Sequence, residues 1–279
     1  MRRSILLLSL FLIPAVAIAQ DRPNILLTND DGIDSVGIRT MAETLSEIGT
    51  VTVVAPAGNE SGIGHAATTN PRVEIFVTTE TDDAGITWHS VTAHPSDCVR
   101  LGIRQLMDTP PDIVVSGPNS GANLGFSTWL SGTLGAAREG AMHGIPSIAV
   151  SMVDGPRVEH YLNASRFTAR LIVEYLESPL PEGSYLTVNY PTLPAEEIRG
   201  TRIVPLAERF PFVWDYVQER TRDGGLVFRQ RIIASTETDR AGDWGATTDG
   251  YISVTPIQLD QTDHDLIPTL GGWRVMQDQ

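Results

Sequence analysis

The chain contains no lysine: all twenty of its basic residues are arginine, set against 34 acidic residues for a formal net charge of −14. It has a single cysteine in 279 residues and, past the N-terminus, no apolar stretch long enough to span a bilayer. Each shortage excludes something. With so few cations, sequence-independent binding of a nucleic-acid polymer or an anionic membrane is excluded, because both rest on Lys and Arg neutralising phosphates. A small phosphate ester stays open, held by a local donor cluster or a metal. Cys98 cannot form an intramolecular disulfide, and its setting in Asp97–Ile103 reads as a small buried helix residue.

What is present begins with an export signal. Met1-Arg2-Arg3 precedes the apolar run Ile5–Ile13, Pro14 interrupts it, and Ala17 and Ala19 supply the small residues a signal peptidase needs, so cleavage is expected before Gln20. Removing residues 1–19 takes away two arginines, leaving 18 basic against 34 acidic residues, a net −16. No cysteine follows the cleavage site, so no lipid anchor is expected; the product would be periplasmic and free of the membrane. The rest is long enough for one large α/β core with an appended arm.

Strands and helices alternate along the chain. Asn24–Thr28 is short and apolar enough for one buried strand. A helix follows from Gly37 to Ile48, with Ile38, Met41, Ala42, Leu45 and Ile48 on one face, and Val51–Ala55 is a second buried strand. Residues 72–92 suggest a β excursion with its tip at Thr81–Gly85. A helix from Ser96 to Met107 is expected, capped by Ser96, then strands at Asp112–Ser116 and Pro146–Ser151, helices at Leu134–His143 and Phe167–Leu176, and strands near Tyr185–Asn189 and Thr201–Pro205. This order predicts a doubly wound, mostly parallel sheet. From Arg209 extended segments predict a β arm and a late return strand at Tyr251–Pro256, an arm suited to reach a neighbouring subunit. The domains are thus 1–19 signal, 20–208 core and 209–279 arm and return strand.

Three of these strands end in loops bearing oxygen ligands: Asp30 and Asp31 after the first, Ser61 after the second, Asn119 after the third. In a parallel sheet they converge on one edge, where ligands bind. Asn29-Asp30-Asp31-Gly32 is also good turn chemistry, and a solvated Asx turn is the competing reading. Carboxylate, hydroxyl and amide oxygens suit a hard divalent cation such as Mg²⁺, Mn²⁺ or Ca²⁺, and zinc spacing of Cys and His is missing. Two carboxylates against one divalent ion leave a neutral site that still accepts a phosphate. Ser131-Gly132-Thr133 at a helix start offers N–H groups and the positive dipole end for that phosphate, or else an ordinary N-cap.

The segments Ile25–Gly32 (ILLTNDDG), Val53–Gly62 (VVAPAGNESG), Asp112–Gly125 (DIVVSGPNSGANLG), Ser131–Gly140 (SGTLGAAREG) and Gly144–Ser151 (GIPSIAVS) together resemble the SurE family of survival proteins, metal-dependent nucleoside-monophosphate phosphatases. Further similarity lies at Pro95–Cys98 and Gly250–Pro256. The resemblance implies a three-layer α/β/α, Rossmann-like fold with a C-terminal β arm that builds a homodimer or homotetramer. It implies one divalent ion per subunit on Asp30, Asp31, Ser61 and Asn119, and phosphate contacts from Asn123, Ser131, Gly132 and Thr133. Pro118, Phe126-Ser127, Leu130 and Ala93-His94 depart from the family pattern; they spare the inferred ligands and border the pocket, so they bear on substrate preference.

The expected reaction is hydrolysis of a nucleoside monophosphate (a 5'-nucleotide, with 3'-nucleotides or short polyphosphate as further substrates), Asp30 or Asp31 orienting or deprotonating the attacking water. The alternative is a non-catalytic exported protein that binds nucleotide or metal. Gly62–Ala67 matches a dinucleotide fingerprint, yet Pro56–Ser61 intervene between it and its strand. Gly32 occupies the position a second aspartate would need in a D-x-D phosphatase, and no G-x-S-x-G elbow surrounds any serine. His65 and His94 lie in candidate site loops and read as supporting residues.

Overall fold

A computed structural model describes residues 22–153, 155–208, 212–234 and 240–273. The proposed signal, residues 1–19, lies outside them. The fold is a nine-stranded sheet between helical layers. Its first half runs β1 (Asn24–Thr28), α1 (Val36–Leu45), β2 (Thr50–Pro56), β3 (Val77–Thr81), β4 (Thr87–Val91), α2 (Pro95–Leu101), β5 (Ile113–Asn119) and α3 (Gly132–Met142). The second half adds β6 (Ser147–Val153), α4 (Val158–Glu177), β7 (Ser184–Pro191), β8 (Thr201–Ile203), β9 (Phe212–Arg220), β10 (Leu226–Ala234), α5 (Asp243–Thr248), β11 (Ile252–Gln258) and α6 (Ile267–Gly271).

The sheet order is β3-β4-β2-β1-β5-β6-β7-β11-β8, with β9 and β10 forming a separate two-stranded ribbon. The central strands β4, β2, β1, β5, β6 and β7 run parallel, while β3 and β11 run against their neighbours β4 and β7. Parallel strands buried on both faces need apolar residues at every position, and β1 shows it: Ile25, Leu26 and Leu27 are all fully buried. Ile25 and Leu27 face a core with Ile38, Met41 and Leu45 of α1 and Ile172 of α4. Leu26 faces Cys98, Val99 and Ala136 on the other side. The three layers expected from the sequence are therefore α1 and α4, the sheet, and α2 and α3. Cys98 is buried, and burial pushes its thiol above the usual range, as an inert packing residue requires.

Some boundaries differ from expectation. Helix α2 starts at Pro95, with His94 at the N-cap position and no side-chain cap bond, and Ser96 is fully buried rather than a cap, because proline at the first helical position fixes the start. Its last part, Gly102–Leu106, is a single wide π turn. Helix α4 begins at Val158 rather than Phe167. Ser165 and Thr168, weak helix formers, are held within it by bonds to the carbonyls of Tyr161 and Ala164. The late strand β11 enters the core sheet between β7 and β8, so the extended arm proper is the β9–β10 ribbon. No helix among the described residues is long and apolar enough to cross a membrane.

Candidate active site

Strands β1, β2 and β5 end together, and three hydrogen bonds donated by backbone N–H groups join their loops. The Ile33 N–H donates to Pro56 O at 2.9 Å, and the Glu60 N–H donates to Asp30 O at 2.7 Å, tying the loop that carries Ser61 onto the carboxylate turn. The Ser120 N–H donates to Asp31 Oδ2 at 2.8 Å, tying on the loop that follows Asn119. Gly32, at φ +99°, makes the bend; a Cβ there would stand 3.0 Å from the Gly58 carbonyl carbon. Asn29 holds the turn from inside, its Nδ2 donating to Gly32 O at 3.0 Å and Ser35 Oγ at 2.8 Å.

The turn is formed, but Asp30 within it is buried rather than solvated. Asp30 is 2% exposed, and burial pushes its carboxyl up to about 6, with Thr133 opposing the shift and Asp31 adding to it. Burial also raises Asp31, against the Ser120 N–H. Neither is in an ion pair among the described residues. Two adjacent, desolvated carboxylates without a cation are a costly arrangement that a bound divalent ion relieves. The donor set is mixed: no group of three or more His, Cys, Asp or Glu is arranged to hold a metal ion among the described residues. Asn119 donates through Nδ2 to Gly121 O at 2.8 Å, which leaves its amide oxygen for a ligand. Ser61 is exposed, its N–H donating to Asn59 Oδ1 at 2.9 Å. These oxygens fit a hard divalent cation.

Opposite the carboxylates lies the start of α3. Ser131 caps it, accepting from the Leu134 N–H at 3.2 Å. A Cβ on Gly132 would fall 2.8 Å from Asp30 Cβ and 3.0 Å from Oδ2, so glycine is what lets the helix end approach the carboxylate. Thr133, fully buried, donates Oγ1–H to Asp30 Oδ1 at 2.6 Å. Asn123 is buried beside them, its Nδ2 donating to Ser151 Oγ at 2.8 Å and its backbone held both ways by the Asn189 amide. Between Asn123 and Ser131 a short 3-10 turn, Gly125–Trp129, leaves Phe126, Trp129 and Leu130 exposed.

Sequence reasoning missed the supports. Glu139 on α3 is 3% exposed, meeting His65 Nε2 at 2.8 Å, Arg100 Nε at 2.9 Å and His143 Nε2 at 3.2 Å. Despite its burial, His65 and Arg100 hold its carboxyl down at about 2. It joins α2, α3 and the loop after Ser61. The fully buried Asp243 accepts from the N–H groups of Gly125, Ala207 and Trp244 at 3.0, 2.8 and 2.8 Å, fixing the start of the 3-10 turn from the C-terminal part of the chain. A lone acid among alanines and glycines in Leu134–Ala141 hinted at a buried Glu139; nothing local marked Asp243.

Residues 25–211 match the family model described as Survival protein SurE. The chain is 42% identical over 261 residues to a protein named 5'-nucleotidase SurE from Geobacter sulfurreducens, covering 90% of this chain and 93% of that one. It is 37% identical over 254 residues to the protein of that name from Pelobacter propionicus, covering 90% and 99%. The structure superposes on a SurE protein from Aquifex aeolicus with a TM-score of 0.77 and 34% identity, covering 89% of this chain and 98% of the other.

Proposed function

Because the chain belongs to the SurE family of survival proteins, we propose that it is a 5'-nucleotidase, a divalent-metal-dependent phosphomonoesterase that hydrolyses nucleoside monophosphates. The observation that carries this reading is the pair of adjacent carboxylates at the end of β1, Asp30 buried against the start of α3 and Asp31 half-buried beside it, neither in an ion pair among the described residues. Asp30, Asp31, Ser61 and Asn119 would hold the ion, Mg²⁺ or Mn²⁺. When bound, the ion supplies positive charge that polarises the phosphoryl oxygens and acidifies water. The chain's own groups do the rest. The α3 start at Ser131, Gly132 and Thr133 binds phosphate oxygens with backbone N–H groups and the positive helix end, and Asn123 adds its amide. Thr133 fixes the rotamer of Asp30, and one of the two aspartates takes the proton of the attacking water.

Phosphate release from AMP in the presence of Mg²⁺ or Mn²⁺ tests the reading. Release that stops with EDTA and returns with added metal is the expected result; release at an unchanged rate in EDTA overturns it. Binding of AMP without turnover would favour a non-catalytic binding protein instead.

The same reading extends to assembly and address. Tyr216, Phe228 and Ile232 of the β9–β10 ribbon are 62%, 57% and 67% exposed. A two-stranded ribbon with bare apolar side chains is marginal in water, so a second copy covers it in a homodimer or homotetramer. Residues 1–19 direct export to the periplasm, which N-terminal sequencing of the exported protein checks.

A further inference from the structure

The two carboxylates that end β1 serve opposite layers. Asp30 meets α3, whereas Asp31 forms part of the wall of a cavity of about 560 Å³ on the side of α1 and α4. The phosphate contacts proposed above, at Ser131, Gly132, Thr133 and Asn123, lie on the first side. Ser35, Val36, Ser120, Arg157, Val158 and Tyr161 are among the residues that line the cavity with Asp31. Val36 and Val158 are the first residues of α1 and α4 and are 52% and 62% exposed, two apolar surfaces that border the same space. The Arg157 side chain is 79% exposed, and its ion pair with Glu159, at 3.5 Å, is a weak surface contact that leaves the guanidinium free to turn.

This lining suits one kind of occupant. Aliphatic groups bracket a flat ring, a guanidinium fork reads paired acceptors on a ring edge, and the volume is in the range of small-molecule sites. A second phosphate is a poor fit beside Asp31 and Glu159. The position is also apt: Ser120, whose N–H holds Asp31, is shared between the cavity and the carboxylate turn. Resting on the phosphomonoesterase reading, we infer that this cavity receives the nucleoside of the substrate, with Val36 and Val158 flanking the base and Arg157 reading its acceptor edge. The ester then crosses the end of β1, phosphate toward α3 and nucleoside toward α4.

The test compares the full chain with Arg157→Ala and Val158→Asp, in Mn²⁺, on guanosine 5'-monophosphate and on glycerol 2-phosphate, which has no ring. Guanine presents O6 and N7 to an arginine fork. In both variants the ratio of kcat/KM for the nucleotide to that for glycerol 2-phosphate should fall about tenfold or more, through KM, and Arg157→Lys should recover only part of it. An unchanged ratio in Arg157→Ala and Val158→Asp overturns the subsite and leaves the phosphatase reading standing. Calorimetry with guanosine alone separates the two readings: tenfold weaker binding in Arg157→Ala, in a protein that hydrolyses neither ester, would retain the subsite and overturn the catalytic reading. Guanosine binding unaffected by Arg157→Ala overturns the subsite.

Discussion

Thr133 Oγ1 and Asp30 Oδ1 stand 2.6 Å apart, a buried hydrogen bond between the start of α3 and the end of β1, joining residues 103 positions apart in the chain. It couples the helix end proposed to bind phosphate to a carboxylate proposed to bind metal. A short bond to an ionised acceptor is among the stronger ones a protein makes, of order 1.5–3 kcal/mol.

Thr133→Val keeps the shape and removes the donor. It should lower kcat/KM on a nucleoside monophosphate by roughly ten- to a hundredfold, an effect of about 1.4–2.8 kcal/mol, while Thr133→Ser stays near wild type. Equal activity in the valine variant would show that the bond does not position Asp30.

Asp30→Asn should abolish turnover and, without metal, stabilise the fold. The Asp30 carboxyl is raised from 3.8 to about 6, so its contribution is fully present below pH 3.8 and is lost as pH rises through about 6. Metal-free wild type should therefore lose of order 2–3 kcal/mol relative to Asp30→Asn between pH 4 and pH 7. Thermal melts of both proteins in EDTA across that range provide the measurement; parallel curves would contradict the assignment.

Gly132→Ala places a methyl group 3.0 Å from Asp30 Oδ2. The helix start must back away, so metal affinity and kcat/KM should each drop at least tenfold, with a stability cost of about 1–3 kcal/mol from overpacking. Mn²⁺ titration and denaturant melts read the two effects separately.

Glu139 carries the opposite pH signature. Its carboxyl is lowered from 4.5 to about 2, so its contribution is present above pH 4.5 and is lost as pH falls toward 2. Glu139→Ala leaves His65 and Arg100 without their shared partner and should cost about 3 kcal/mol at pH 7, with a smaller deficit at pH 3. Because His65 follows Ser61 in the same loop, weaker Mn²⁺ binding should accompany the loss; a variant with unchanged melting at pH 7 would sink the account.

The paired substitution Phe228→Asp and Ile232→Asp on the ribbon should reduce the molar mass seen by light scattering to that of a monomer, leaving the circular dichroism of the core unchanged. An unaltered mass would place the subunit contact elsewhere.

Much of this was written in local sequence. Apolar runs of strand length, such as Ile25–Leu27 and Ile113–Val115, require burial on both faces and so a parallel sheet under helices; a strand ending in Asn-Asp-Asp-Gly requires a bend that carries two carboxylates. Those signals are local because strand period, turn chemistry and caps act over a few residues. The proposed export signal is likewise a local pattern, and the excess of acid is a property of composition alone.

Other features depended on partners distant in the chain. Ser165 obscured the first half of α4, because a hydroxyl that competes for the backbone in isolation is satisfied inside a packed helix. Asp243 fixes the Gly125 turn across 118 residues, and Glu139 joins His65 across 74; no spacing rule connects such positions. Sequence alone is enough to put oxygen-bearing side chains at three strand ends, since side-chain type and strand order are read directly from it, and these are the residues proposed to bear the chemistry. Only the tertiary structure decided that Asp30 turns to α3 and Asp31 to the cavity beside α4, because which layer a side chain meets depends on packing that burial, not sequence distance, selects.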